Sequence, residues 1–146
     1  MQLAPPINIF SGEPGLGGAL TNPTELARQK GCIQQSYPIT FAGRHWPDVE
    51  TAYKRLKRDT PAENDALMVE LIATKLRQHT RLRDAITARG GVAWLKTCSH
   101  HTNARSESFQ SWEGTGEESR FIRDLVAGYE ASFSDEVIQV GQAQLF

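Results

Sequence analysis

Trp46-Pro47-Asp48-Val49-Glu50-Thr51-Ala52-Tyr53-Lys54-Arg55-Leu56-Lys57 reads as an amphipathic helix, and the rest of the chain can be arranged around it. Pro47 suits a first helical turn, and Asp48 and Glu50 suit the positive field there. Val49, Ala52, Tyr53 and Leu56 recur at helical spacing and form an apolar stripe. Lys57 follows Glu50 by seven residues, close to two full turns, so a continued helix would project both from one side. A carboxylate and an ammonium at the border of a core can line a cleft. They can equally be a solvated surface pair.

Outward from this segment, Tyr37–Phe41 reads as a strand and Ala42–His45 as the turn leaving it. Ile7–Phe10 reads as a short strand, Ser11–Gly18 as a glycine-rich loop, and Thr24–Lys30 as a helical turn. The glycines of that loop lack the dinucleotide-binding spacing. On the other side, Thr60-Pro61-Ala62-Glu63 combines an N-cap, a proline at the first helical position and a capping-box glutamate. Met68, Leu71, Ile72 and Leu76 then repeat at helical spacing, with Lys75 in the middle of the stripe. An ammonium there must snorkel out, pair with a carboxylate or lose its proton. A shorter helix with Leu82, Ala85 and Ile86 stops at Gly90-Gly91, and Val92–Cys98 reads as a strand. Ser99–Ser111 is polar and irregular. Thr115–Glu118 reads as a second capping box, before a helix facing inward through Phe121, Ile122, Leu125, Val126 and Tyr129. The tail from Ser134 is expected to fray or add a short strand. The fold class is α+β, a mainly helical single domain with a few short strands.

Composition narrows the function. The chain has 146 residues, enough for one domain with a real core, and its 16 basic and 17 acidic residues nearly cancel. No global field therefore favours nucleic acid or membrane, although Lys54, Arg55, Lys57 and Arg58 form a local basic cluster. Two cysteines make no disulfide framework, and no apolar run spans a bilayer, so a cytoplasmic protein with no membrane partner is expected. Cys98-Ser99-His100-His101 is too compressed for a usual structural zinc site, and no metal is expected. A Cys98–His nucleophile pair is equally weak, because a cysteine at a strand end is more often simply packed.

Trp112-Glu113-Gly114-Thr115-Gly116 carries more chemistry. An indole offers a face for stacking a base, and the glycines let backbone amides approach phosphate or ribose oxygens. The following helix N-terminus would favour an anion. The competing reading is a tryptophan plugging the core before a capped helix.

In order, Leu20-Thr21-Asn22, Phe41 to Glu50, Ala52-Tyr53 through Lys57, Leu67-Met68 through Lys75-Leu76, and Trp112 to Gly116 resemble the landmarks of the NADAR/YbiA-like superfamily over roughly Ile7 to Tyr129. The last resembles that family's Trp-Gly-x-Gly signature with one residue inserted. Thr51 stands where the family has a histidine. Phe109 stands where an acid is often found, which moves that role to Glu107 or Glu113 or removes it. The resemblance implies a cofactor-free N-glycosidase acting on ADP-ribosylated guanine in nucleic acid or nucleotide, or on phosphoribosyl intermediates of riboflavin synthesis. It places catalysis on Glu50 with Lys57 or Lys75. Glu50 would stabilise positive charge on the sugar or position water, and a lysine would form an imine. Asn22, Arg44, Tyr53, Trp112, Glu113, Gly114 and Gly116 make up the implied substrate-binding set. A non-catalytic module that binds ADP-ribose, and an interaction domain that keeps only the scaffold, are the rival readings. Oligomeric state is left open.

Overall fold

A computed structural model describes residues 2–102 and 110–145, with side chains up to residue 134. It is a single α+β domain, more than half helical, with two small antiparallel sheets. The first four helices are α1 (Leu16–Ala19), α2 (Thr24–Gln29), α3 (Val49–Leu56) and α4 (Pro61–Gln78). They are followed by α5 (Thr80–Arg89), α6 (Gly91–Leu95) and α7 (Arg120–Leu145). The sheets are the hairpins β1 (Ile39–Phe41) with β2 (Arg44–Trp46), and β3 (Ser99–His100) with β4 (Gly114–Thr115). No helix is long and apolar enough to cross a membrane among the described residues.

The centre is the α4–α7 pair, the most extensive contact between any two elements. Met68, Leu71, Ile72 and Leu76 meet Phe121, Ile122, Leu125 and Tyr129 in one buried cluster. Gly128 lets the helices approach, since a Cβ there would sit 2.6 Å from Ile72 Cγ2. Thr60 caps α4 by accepting from Glu63 N, as its sequence predicts.

The start of α3 differs from the expectation. Asp48 is its N-cap, so Pro47 lies outside the helix instead of in the first turn. The Asp48 carboxylate accepts from Thr51 N at 2.8 Å and from Glu25 N at 3.1 Å, joining the N-terminal ends of α3 and α2. The basic end of the segment also changes. The helix stops at Leu56, and Lys57 is an exposed C-cap with extended ψ of 147°.

Other local expectations are revised by tertiary contacts. Ala42-Gly43 alone makes the first hairpin turn, with φ of 54° and 74°, so Arg44 and His45 belong to β2. The glycine loop contains α1. Residues 7–9 are extended, but their pairing is a bridge from Asn8 to Ser99 and not a sheet strand. Val92–Cys98, expected as a strand, begins in helix α6. A short unbroken apolar run suits either form. Here the φ values of 129° at Gly90 and 64° at Gly91 restart a helix that sends Trp94 into the core, its indole N–H on Pro5 O at 3.0 Å. Thr115 makes no side-chain cap. Residues Gly116–Glu118 form a 3-10 turn, and Ser119 Oγ accepts from Ile122 N at the start of α7. The tail, expected to fray or form a strand, continues α7 to Leu145.

Candidate functional site

One hollow of about 290 Å³ opens between the 10–11 segment, the 21–30 region, α3, α4, β3 and the start of α7. Its volume is at the lower end of small-molecule pockets. Each wall has a local cause. Glu50 and Tyr53 sit one turn apart on α3, on the edge of the stripe whose Val49 and Ala52 are fully buried. Asn22 follows the Lys75 anchor described below, and its amide donates to Met68 Sδ at 3.3 Å. Its carbonyl receives Thr24 N and Glu50 N, which ties the 21–24 turn to the first turn of α3. Tyr53 meets Trp112 edge to face, centroids 6.1 Å apart and planes at 82°. The Arg120 guanidinium lies 3.9 Å above the same indole.

Of the residues expected from sequence, Asn22, Glu50, Tyr53 and Trp112 line the hollow. Burial pushes the Glu50 carboxyl up from its ordinary value, and Asp48 adds to this. Lys54, whose ammonium is 3.9 Å away, and Lys57 oppose it. The cation in ion-pair range of Glu50 is thus Lys54, four residues on, and the exposed Lys57 is outside the lining.

Lys75 is also outside the lining. It is 2% exposed and donates to Ala19 O at 2.7 Å and Thr21 O at 2.8 Å, with its nitrogen 5.9 Å from the Tyr37 ring. Burial lowers its pKa to about 7, with Asp48 opposing. A neutral amine has two N–H donors for two carbonyls. The side chain neither snorkels out nor pairs with a carboxylate among the described residues, and burial makes its proton easier to lose. It anchors the segment carrying Thr21 and Asn22.

Arg44 is exposed on the hairpin, stacked 4.7 Å over Trp46, and takes no part in the wall. Among the described lining residues the cation is Lys30, which donates to Ser11 Oγ at 2.8 Å with its nitrogen 5.4 Å from the Phe10 ring.

The Trp112–Gly116 segment divides its work. Trp112 is a wall of the hollow and half-buried, so neither the pure core plug nor a freely exposed indole describes it. Glu113 accepts from Thr102 N and, at 3.0 Å, from Thr102 Oγ1; the backbone donor holds its carboxyl below the usual range. It fastens Thr102, which does line the hollow. Gly114 pairs with His100 in the β3–β4 register, and Gly116 N is spent on Cys98 O at 2.8 Å. The first amides of α7 are also used: Arg120 N meets Ser111 O, Phe121 N meets Trp112 O, and Ile122 N meets Ser119 Oγ. The glycine amide and helix terminus expected to receive phosphate are therefore engaged. Phe109 and Glu107 lie outside the described residues.

Sequence reading missed Phe10, Ser11, Lys30, Thr102 and the placement of His100 in the lining. Nothing local marks Ser11 or Lys30, which meet only because the 10–11 turn lies beside the end of α2. His100 comes two residues after the buried Cys98, whose thiol burial pushes up, and its place is set by residues some ninety positions earlier: Asn8 bridges to the adjacent Ser99, and Ile9 O meets the imidazole. Among the described residues no three His, Cys, Asp or Glu side chains gather as a cation site. Comparison of the chain with protein-family models, curated proteins and solved structures finds no match.

Proposed function

We propose that the hollow is the active site of an N-glycosidase of NADAR/YbiA-like type, which hydrolyses the ribose–base bond of an ADP-ribosylated nucleobase, guanine being the leading case. The observation that carries this reading is the convergence of the Glu50 carboxyl, the Trp112 and Tyr53 rings and the Asn22 amide on one sugar-sized cavity. Breaking the C1′–N bond sends the bonding pair to the base and leaves positive charge on the sugar. Glu50 is the acidic group available to face that charge, and the two rings give the base an apolar, stackable bed. Asn22 offers a polar contact for a ribose hydroxyl. Lys30 replaces Arg44 as the cation for a phosphate. Water is the nucleophile in this scheme, because Lys57 and Lys75 are outside the lining and an imine would need one of them at C1′.

The test is incubation with ADP-ribosylated guanosine DNA, free NAD and phosphoribosyl intermediates of riboflavin synthesis, read by mass spectrometry. Glu50→Gln should lower turnover at least about 100-fold, while Lys57→Ala should stay within a few fold of wild type. Full activity in Glu50→Gln rules the assignment out. The same aromatic lining would serve a module that binds ADP-ribose without cleaving it. Calorimetry beside the product assay separates the two, since a pure binder gives heat and no released base.

A further inference from the structure

A histidine shares the hollow with Glu50 and Lys30. His100 lies on β3, and its backbone is held from two sides. Gly114 pairs with it across the hairpin, and the Asn8 side chain brackets its neighbours, accepting from Ser99 Oγ and His101 N and donating to His101 O. The imidazole packs against Phe121, itself buried in the core, with centroids 4.7 Å apart and planes tilted by 41°. Nδ1 is 2.6 Å from Ile9 O. A carbonyl oxygen only accepts, so Nδ1 carries the hydrogen and the neutral ring has its lone pair on Nε2. Nε2 makes no hydrogen bond to any described residue, and the ring borders the hollow.

We infer that His100 Nε2 is the base that takes a proton from the water attacking C1′, in the glycosidase reading on which this inference rests. The water oxygen bonds to C1′ as the C1′–N bond breaks, and its proton passes to Nε2. The base leaves with the bonding pair and is protonated by solvent, to which the imidazolium returns its own proton. The hydrogen bond to Ile9 O persists throughout and stabilises the transient cation, as a carbonyl or carboxylate does behind other catalytic histidines. Burial lowers the His100 pKa, and Ile9 O, Glu113 and His101 modify that shift, the first two raising it and His101 lowering it. Across the hollow the charged groups are Glu50 and Lys30. Burial thus favours the neutral ring, whose Nε2 lone pair can accept a proton.

His100→Asn separates this role from a purely structural one, because the asparagine amide can still donate to Ile9 O but has no Nε2. Turnover should fall about 100-fold with KM within a few fold of wild type, the acid limb of the pH–rate profile should change to that of Glu50 alone, and added imidazole should restore part of the rate. His100→Gln serves as the second variant if the first melts early. Unchanged turnover in either folded variant, or a loss that imidazole leaves untouched with the acid limb intact, overturns the role of His100 while the glycosidase reading stands. Absence of released base from the wild-type protein on all three substrates overturns both.

Discussion

At the scale of single residues, position within the tertiary fold sets the chemistry of each ionisable group more than its type does. Lys75 is the clearest case. Its pKa of about 7 in the folded protein compares with an ordinary value of 10.5. Below about pH 7 both folded and unfolded chains hold the proton. Between about 7 and 10.5 the unfolded chain binds more protons, so this residue makes the fold more stable as pH rises through that window. The difference in unfolding free energy between wild type and Lys75→Met, measured in urea at pH 6, 7.5 and 9, should therefore shift in favour of wild type. A flat difference would show that the ammonium is retained. Glu50 moves the opposite way for the same reason: burial raises a carboxyl and lowers an amine. That a lysine stands inside the α4 stripe is legible in the chain. That it ends on two backbone carbonyls from the 19–21 segment is not, because its acceptors are more than fifty residues away.

At the scale of elements, the periodic helices formed, α4 with its expected cap, while the starts of α3 and α7 and the short segments were set by other contacts. Thr60 and the α4 stripe are local features within a few residues of each other, so α4 is readable directly. The 92–98 run has too few residues to show a period, and two left-handed glycines decided its start. Close packing imposes another demand with no periodic signature. Gly128 on α7 faces Ile72, and an added Cβ would also lie 3.2 Å from Val69 O. Alanine favours a helix by about 1 kcal/mol over glycine, but overpacking a tight contact costs about 1–3 kcal/mol. Gly128→Ala should be net destabilising by roughly 1 kcal/mol in chemical denaturation. A stabilised variant would mean that α4 and α7 can separate at no cost.

At the scale of the whole molecule, the hollow is built from both ends of the described chain, from Phe10 to Phe121, so a ligand there should brace the domain as a unit. ADP-ribose at 100 times its dissociation constant should add about 2.7 kcal/mol to stability and raise the single melting transition. Glu50→Gln should preserve this rise, since the variant keeps the rings and Lys30. A melting curve indifferent to ADP-ribose, with turnover also absent, would leave the hollow without its proposed occupant. The chain alone determined the mainly helical α+β class, the amphipathic α3 and the capped α4, and the place of Glu50 at the edge of the α3 stripe, because these depend on contacts within one or two turns. Only the tertiary structure decided that Lys75 turns inward, that Lys30 and not Arg44 borders the cavity, and that His100 lines it with Nδ1 held on Ile9 O. Those outcomes depend on donors and acceptors as far apart as Ile9 and His100, which the chain brings together only once its helices have packed.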